Sequence, residues 1–83
     1  MKIRIFVNVM PHPELLDPQG KATHAALQQL GFEAISKTRI GKRIYLEIDA
    51  PDADQALELA RKAAQQLLVN PVVETFDLEL LED

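Results

Sequence analysis

Several residue types are rare or absent in this 83-residue chain: it has no cysteine, no tryptophan, one tyrosine and three glycines. Without cysteine it can form neither a disulfide framework nor a thiolate zinc site. Its glycines, Gly20, Gly31 and Gly41, are too far apart to form a phosphate-binding loop. No apolar run approaches the roughly 18 residues needed to span a membrane. We therefore expect one cytoplasmic domain, residues 1–83, with no membrane contact.

Positive charge is also scarce, with nine basic against 13 acidic residues and a formal net charge of -4. This balance argues against a dedicated nucleic-acid binder, which needs clustered cations to displace counterions. Basic residues concentrate between Lys37 and Arg43, whereas acids dominate from Glu74 onward. These clusters are either solvated strand faces or surfaces that attract each other between copies or partners.

The first half of the sequence contains a strand and a strongly marked helix. Apolar residues alternate with other residues from Lys2 to Val9, as in a half-buried strand. A helix is expected within Leu15–Phe32, capped by Asp17 and closed by a left-handed Gly31. Its alanine-rich side, with Leu27 and Leu30, should face the sheet. Gly20 lies in the first turn, where it costs up to ~1 kcal/mol, which suggests a close approach by backbone or a partner.

A hairpin is expected next. Phe32–Arg39 reads as a weak strand, Gly41 as a turn, and Arg43–Asp49 as a strand. A two-residue loop, Gly41-Lys42, matches a type II′ turn but turns Lys37 and Arg39 inward. A loop one residue longer turns those charges outward and is favoured, because a register error would expose a whole apolar set.

The second half again has the order strand, helix, strand. Asp52 and Gln55 resemble a capping box, and apolar residues keep helical spacing until Asn70-Pro71. Val72–Leu81 is the last strand. The order β-α-β-β-α-β predicts an α+β, ferredoxin-like fold, in which an antiparallel sheet carries two helices on one face.

No arrangement of residues predicts catalysis. His12 and His24 lack a second ligand at helical spacing, so neither predicts a metal site, and both are expected on the surface. The clearest signal is a pair of aromatic residues, Phe6 and Tyr45, on the open face of the sheet. RNA-recognition domains use a similar arrangement, but the acidic charge favours contact with another protein surface, to which Phe76 could also contribute.

Four short stretches carry a resemblance to a known family over nearly the whole chain. They are Leu16-Asp17-Pro18-Gln19-Gly20-Lys21-Ala22, Leu30-Gly31-Phe32, Arg39-Ile40-Gly41-Lys42 and Asn70-Pro71-Val72-Val73-Glu74. In this order they resemble the signatures of PurS, the small subunit of phosphoribosylformylglycinamidine (FGAM) synthase.

The resemblance implies a non-catalytic subunit in de novo purine synthesis. The family's complex converts formylglycinamide ribonucleotide, glutamine and ATP to formylglycinamidine ribonucleotide. The small subunit is expected to bridge the large synthetase subunit and the glutaminase subunit and to assist ammonia transfer. It would bind no cofactor or metal itself, while its partners use ATP, Mg and glutamine. The family forms dimers and tetramers, and its last strand can pair across the dimer.

The residues expected at partner or oligomer interfaces are Phe6, Tyr45, Asp17, Gly20, Lys21, Arg39, Gly41 and Lys42. An alternative function is a small-ligand-binding regulatory module, because ferredoxin-like dimers can hold effectors between subunits.

Overall fold

A computed structural model describes residues 1–13, 15 and 17–81 of the chain. Its elements are, in order, β1 (Lys2–Pro11), α1 (Pro18–Gln29), β2 (Lys42–Asp49), α2 (Ala53–Ala63), a π-helical turn (Ala64–Leu68) and β3 (Glu74–Leu81). The α+β class is confirmed, with the order β-α-β-α-β. The four-stranded sheet that the sequence predicted is not present within one chain, because the segment after α1 forms no strand.

The sheet is antiparallel with the order β2-β1-β3. Ile5 at its centre pairs with Leu46 on one side and Leu80 on the other. The predicted alternation in all three strands is therefore confirmed. β3 pairs with β1 of its own chain, and pairing of the last strand across a dimer stays a prediction. β2 lies at an edge, although the ferredoxin-like interpretation made it central.

One face of the sheet packs against α2 and the π-helical turn. Fully buried alanines in these helical segments meet the buried side chains of β1; the residues are Ala56, Ala60, Ala64, Ile5, Val7 and Val9. Alanine leaves little side chain between helix and sheet, so the two can approach closely. Phe76 packs on this covered face, beside the cluster of Val7 and Val9. It is therefore not on the open face, and the prediction that it contributes to a contact there is wrong.

The last turn of the second helix departs from α-helical geometry. The Val69 amide donates to the Ala64 carbonyl at 2.9 Å, a bond to the fifth preceding residue. This wider turn shifts the side chains relative to α-helical spacing. As a result Leu68 packs into the core, while Leu67 is 83% exposed. The helical spacing that the sequence predicts up to Asn70 would place Leu67 on the buried side, and the π-helical turn is the reason why it is exposed.

Both predicted end signals of α1 are confirmed. The Asp17 carboxylate accepts a hydrogen bond from the Gly20 amide, and Pro18 occupies the first helical position. Gly31 follows the helix with φ of 95°, a conformation that L residues rarely adopt. The helix itself is shorter than Leu15–Phe32, and Leu16 lies outside the described residues.

The predicted position of α1 on the sheet is wrong for the single chain. Neither core cluster contains a side chain from α1, and Leu30 is 73% exposed. The predicted strand Phe32–Arg39 and its hairpin are also absent. This segment runs beside α1 in irregular structure and makes side-chain bonds to that helix. The predicted hairpin register therefore has no counterpart within one chain. The predicted outward direction of Lys37 does agree with the structure, where Lys37 is exposed and Thr38 contacts α1.

The resulting molecule is thin and elongated. Its radius of gyration is 16.1 Å, whereas a compact domain of this length would have about 12 Å. Its extents are 50 × 30 × 13 Å. Its accessible surface is 6017 Å², roughly 1,000 Å² more than surface scaling gives for this mass. Among the described residues, no helix has the length and hydropathy needed to cross a membrane.

Candidate functional site

The start of α1 is joined to the segment that precedes β2 through one carboxylate. Asp17 accepts from the Gly20 amide at 3.1 Å and from the Ile40 amide at 3.0 Å, using a different oxygen for each. The bond from Ile40 is the largest cause that lowers the pKa of Asp17; the Gly20 bond and the Arg39 charge add to it, and burial opposes it. One side chain therefore caps a helix and holds a distant part of the chain.

Gly20 is the one buried residue of α1. A Cβ atom at this position would overlap the Asp17 carboxylate and lie 2.8 Å from the Thr38 carbonyl oxygen. The close approach suggested by the sequence is thus made by the chain's own backbone. Folding accounts for this glycine, and its contact with a partner stays a prediction.

Two polar side chains of α1 hold the following segment in place. Nδ1 of His24 lies 3.0 Å from the Thr38 hydroxyl, and the Gln28 amide donates to the Ile35 carbonyl at 2.7 Å. His24 was expected on the exposed surface, but it is half-buried. The spacing of His24 and Gln28, four residues apart on one helix face, was the signal available for this role.

A cleft of about 340 Å³ opens between α1 and the segment it holds, and we call it the basic cleft. It is lined by Pro13, Leu15, Asp17, Lys21, His24, Ala25, Ser36, Lys37, Thr38 and Arg39. Arg39 donates to the Pro11 carbonyl. Three of the predicted interface residues, Asp17, Lys21 and Arg39, therefore meet here, with Gly20 beside them. Lys37 belongs to the same cleft, although the sequence analysis did not include it among those residues.

Gly41 and Lys42 lie elsewhere, where the chain enters β2. A Cβ atom on Gly41 would overlap the Val9 carbonyl and the Met10 sulfur, so the glycine permits close passage over β1. The Lys42 ammonium lies 3.8 Å from a Glu74 carboxylate oxygen. These two predicted interface residues are therefore separate from the basic cleft, and local packing accounts for Gly41.

The aromatic pair lies on the open face, opposite α2. The rings of Phe6 and Tyr45 have their centroids 5.5 Å apart. The Arg43 guanidinium lies 3.5 Å from the Phe6 centroid and 2.8 Å from a Glu79 carboxylate oxygen. Burial, followed by the neighbouring Glu47 carboxylate, raises the pKa of Tyr45. Basic and acidic residues thus pair within this chain, which accounts for part of the charge clustering noted in the sequence.

The basic cleft and the open face hold no arrangement that predicts chemistry. Within residues 1–13, 15 and 17–81, no three His, Cys, Asp or Glu residues are grouped as metal ligands would be. The carboxylate of the cleft, Asp17, is occupied by backbone amides, and His24 contacts Thr38 and Gln28. These contacts hold segments of the chain together.

Comparison with known proteins adds the identity of the family. The model of the family described as PurS, phosphoribosylformylglycinamidine (FGAM) synthase, matches residues 4–82. The PurS subunit of Synechocystis sp. is 42% identical over 77 residues, covering 93% of this chain and 75% of that protein. The PurS subunit of Mycobacterium leprae is 44% identical, covering 90% of this chain and 91% of that protein.

Solved structures agree with this result. The crystal structure of the Thermotoga maritima PurS subunit has a TM-score of 0.91 at 32% identity, covering 98% of this chain and 93% of that one. A chain in the structure of PurLQS from the same organism gives the same TM-score and identity, covering 98% and 99%. The fold and the candidate site define the class of protein. It is a small α+β domain in which polar side chains hold segments of the chain together.

The chain belongs to the PurS family. It is accordingly a subunit of FGAM synthase, a glutamine-dependent ligase complex of purine biosynthesis. The assignment that the sequence signatures suggested is confirmed.

Proposed function

We propose that this chain bridges the synthetase and glutaminase subunits of FGAM synthase and assists the transfer of ammonia between them. The observation that carries the proposal is the exposed arm of the molecule, which we define as α1 and residues 30–41. The arm is held together internally but contributes no side chain to either core cluster. A subunit that works by contact with other chains needs such surfaces. The similar chain in PurLQS of Thermotoga maritima supports a place in a complex.

The chemistry is assigned to the partner subunits. ATP, Mg and glutamine would bind to the synthetase and glutaminase subunits, and this chain would bind no cofactor. The sequence supports this division because its dispersed glycines cannot form a phosphate-binding loop. Since the complex makes purines from small metabolites, we place its work in the cytoplasm.

Self-association is the second part of the proposal. The surplus of roughly 1,000 Å² of surface is similar to the ~800 Å² that each partner buries in a standard interface. Leu30 and Phe32 of the arm are 73% and 54% exposed. Large apolar side chains that are exposed close together in the sequence favour an interface with another chain. A dimer, or a tetramer built from dimers, would cover them.

The missing strand suggests how two copies would associate. In a ferredoxin-like sheet the strand after the first helix lies beside the strand that here is β2, and β2 has a free edge within this chain. Residues 32–39 of a second copy could pair with that edge and bring their α1 alongside α2. There it would cover Leu59, which is 51% exposed on α2. The predicted four-stranded sandwich would then form between two chains.

The bridging role is tested with the three purified subunits. The synthetase and glutaminase are mixed with and without this chain, and complex formation is followed by native mass spectrometry. We expect a three-component complex that contains two or more copies of this chain. If synthetase and glutaminase associate equally well without it, the bridging role is wrong. If the chain is monomeric both alone and in the complex, the self-association part is wrong.

A further inference from the structure

We infer that the basic cleft binds an acidic segment of a partner protein, one that carries carboxylate side chains beside an apolar side chain. This inference rests on the proposed function, because it assigns a surface to the contact between subunits. It adds the chemistry of the partner segment and the residues that recognise it, chiefly Lys21 and Lys37.

The two lysines are available for a partner. Neither Lys21 nor Lys37 has a hydrogen bond or an ion pair with any residue that the structure describes. Three other basic residues form ion pairs: Lys2 with Glu47, Lys42 with Glu74 and Arg43 with Glu79. The two lysines lie on opposite walls of one cleft, Lys21 on α1 and Lys37 on the segment after it.

The local charge of the basic cleft opposes that of the whole chain. Among the described residues that line the cleft, three are basic, Lys21, Lys37 and Arg39, and one is acidic, Asp17. The Asp17 carboxylate already accepts hydrogen bonds from two backbone amides. The chain as a whole has a formal charge of -4. A cationic cleft on an acidic subunit favours acidic partners.

The walls of the cleft are apolar and preformed. Pro13, Leu15 and Ala25 supply carbon surface, and Leu15 remains 44% exposed. The bonds of His24 to Thr38 and of Arg39 to Pro11 hold the two walls in place. A preformed site loses little entropy on binding. An apolar side chain flanked by carboxylates complements such a cleft.

A nucleotide fits the cleft less well. Its lining contains no Phe, Tyr or Trp on which a base could stack, and its His24 imidazole is engaged by Thr38 and Gln28. The sequence also has no glycine-rich loop for phosphates. RNA is disfavoured by the acidic charge of the chain. These features favour a peptide segment as the occupant.

The test reverses both free charges in the full chain, as Lys21→Glu with Lys37→Glu. Affinity for each purified partner subunit, synthetase and glutaminase, is measured by calorimetry at two salt concentrations. We expect at least about tenfold weaker binding to one of them, and a smaller salt dependence than wild type shows. The milder pair Lys21→Gln with Lys37→Gln should give an intermediate loss.

Lys62→Glu is the matched control, because it reverses an exposed lysine on α2, outside the cleft. It should bind as wild type does. The glutamine pair keeps the test decisive should the glutamate pair fail to fold, which urea unfolding of each variant reports.

Equal subunit affinity of wild type and the charge variants overturns the inference and leaves the proposed bridging role intact. If wild type binds neither subunit, the bridging role itself fails and the inference falls with it. Calorimetry with ATP and with inorganic pyrophosphate provides a further test. Binding of these anions that depends on Lys21 and Lys37, together with unchanged subunit affinity, overturns the inference in favour of a small-ligand site.

Discussion

Gly20 illustrates how much a single residue can contribute to docking two segments. Its lack of a side chain lets the Asp17 carboxylate and the Thr38 carbonyl come close to the helix. The sequence predicted the cap, the helix end and an anomaly at this glycine, because those depend on neighbours in the chain. It could not identify Ile40 or Thr38 as the cause, because these residues lie about 20 positions away.

Substituting Gly20→Ala is expected to destabilise the chain by about 1–3 kcal/mol, because the added methyl group overlaps atoms that cannot both move. Helix propensity alone predicts the opposite, a gain of up to about 1 kcal/mol. Urea unfolding distinguishes the two. Thr23→Ala, at an exposed position of the same helix, is the control and should be neutral or slightly stabilising. A more stable Gly20→Ala variant would show that Asp17 and Thr38 can shift to make room for the methyl group.

The Asp17 carboxylate should make stability depend on acid. Its pKa is lowered in the folded chain from the ordinary value of 3.8. The stabilisation is therefore fully present above about pH 4 and is lost as pH falls through the lower, folded value. Asp17→Asn should remove this dependence, since the amide does not titrate and replaces one acceptor with a donor. Urea midpoints compared at pH 7 and pH 3 test this; an identical pH response of both proteins would contradict it.

At the scale of elements, strands that pair within the chain were predicted well and the arm was not. Alternation in β1, β2 and β3 reports which side of a sheet each residue faces, and in all three strands the apolar side chains pack toward the core. The alternation in residues 32–39 is weaker, and it cannot reveal whether the pairing strand belongs to the same chain. The π-helical turn was missed for a related reason, since Leu67 and Leu68 are equally apolar.

The exposed side of α1 predicts a contact between copies. Leu30→Lys should leave the isolated subunit folded, because Leu30 is 73% exposed, but it should weaken self-association by burying an unpaired charge. Sedimentation equilibrium gives the association constant, and we expect a loss of at least about tenfold. Gln29→Lys introduces the same charge one position earlier and should change little. Equal effects of the two variants would contradict a specific contact at Leu30.

The open face predicts a second, separate contact. Tyr45→Asp would place a carboxylate beside Glu47 and remove one ring of the pair with Phe6. If this face joins dimers into a tetramer, the variant should sediment as a dimer under conditions in which wild type is a tetramer. Tyr45→Phe, which removes only the hydroxyl, should retain the larger assembly. An unchanged assembly of Tyr45→Asp would remove Tyr45 from the contact.

The whole molecule is a sheet with one covered face and a projecting arm, and this shape is the basis of the proposed bridging role. The accessible surface exceeds what surface scaling gives for this mass, and contact with other chains would cover the excess. The family could be predicted from four short signatures. The proposed sharing of one four-stranded sandwich between two chains could not be, because it depends on contacts that only a second copy can supply.

The most direct test of the bridging role compares two nitrogen sources in the reconstituted enzyme. Formation of formylglycinamidine ribonucleotide is measured with glutamine and, separately, with free ammonia, each with and without this chain. A bridging subunit predicts that omission lowers the glutamine-dependent rate at least about tenfold and leaves the ammonia-dependent rate nearly unchanged. Glutamine-dependent synthesis at the full rate without the chain would contradict the account.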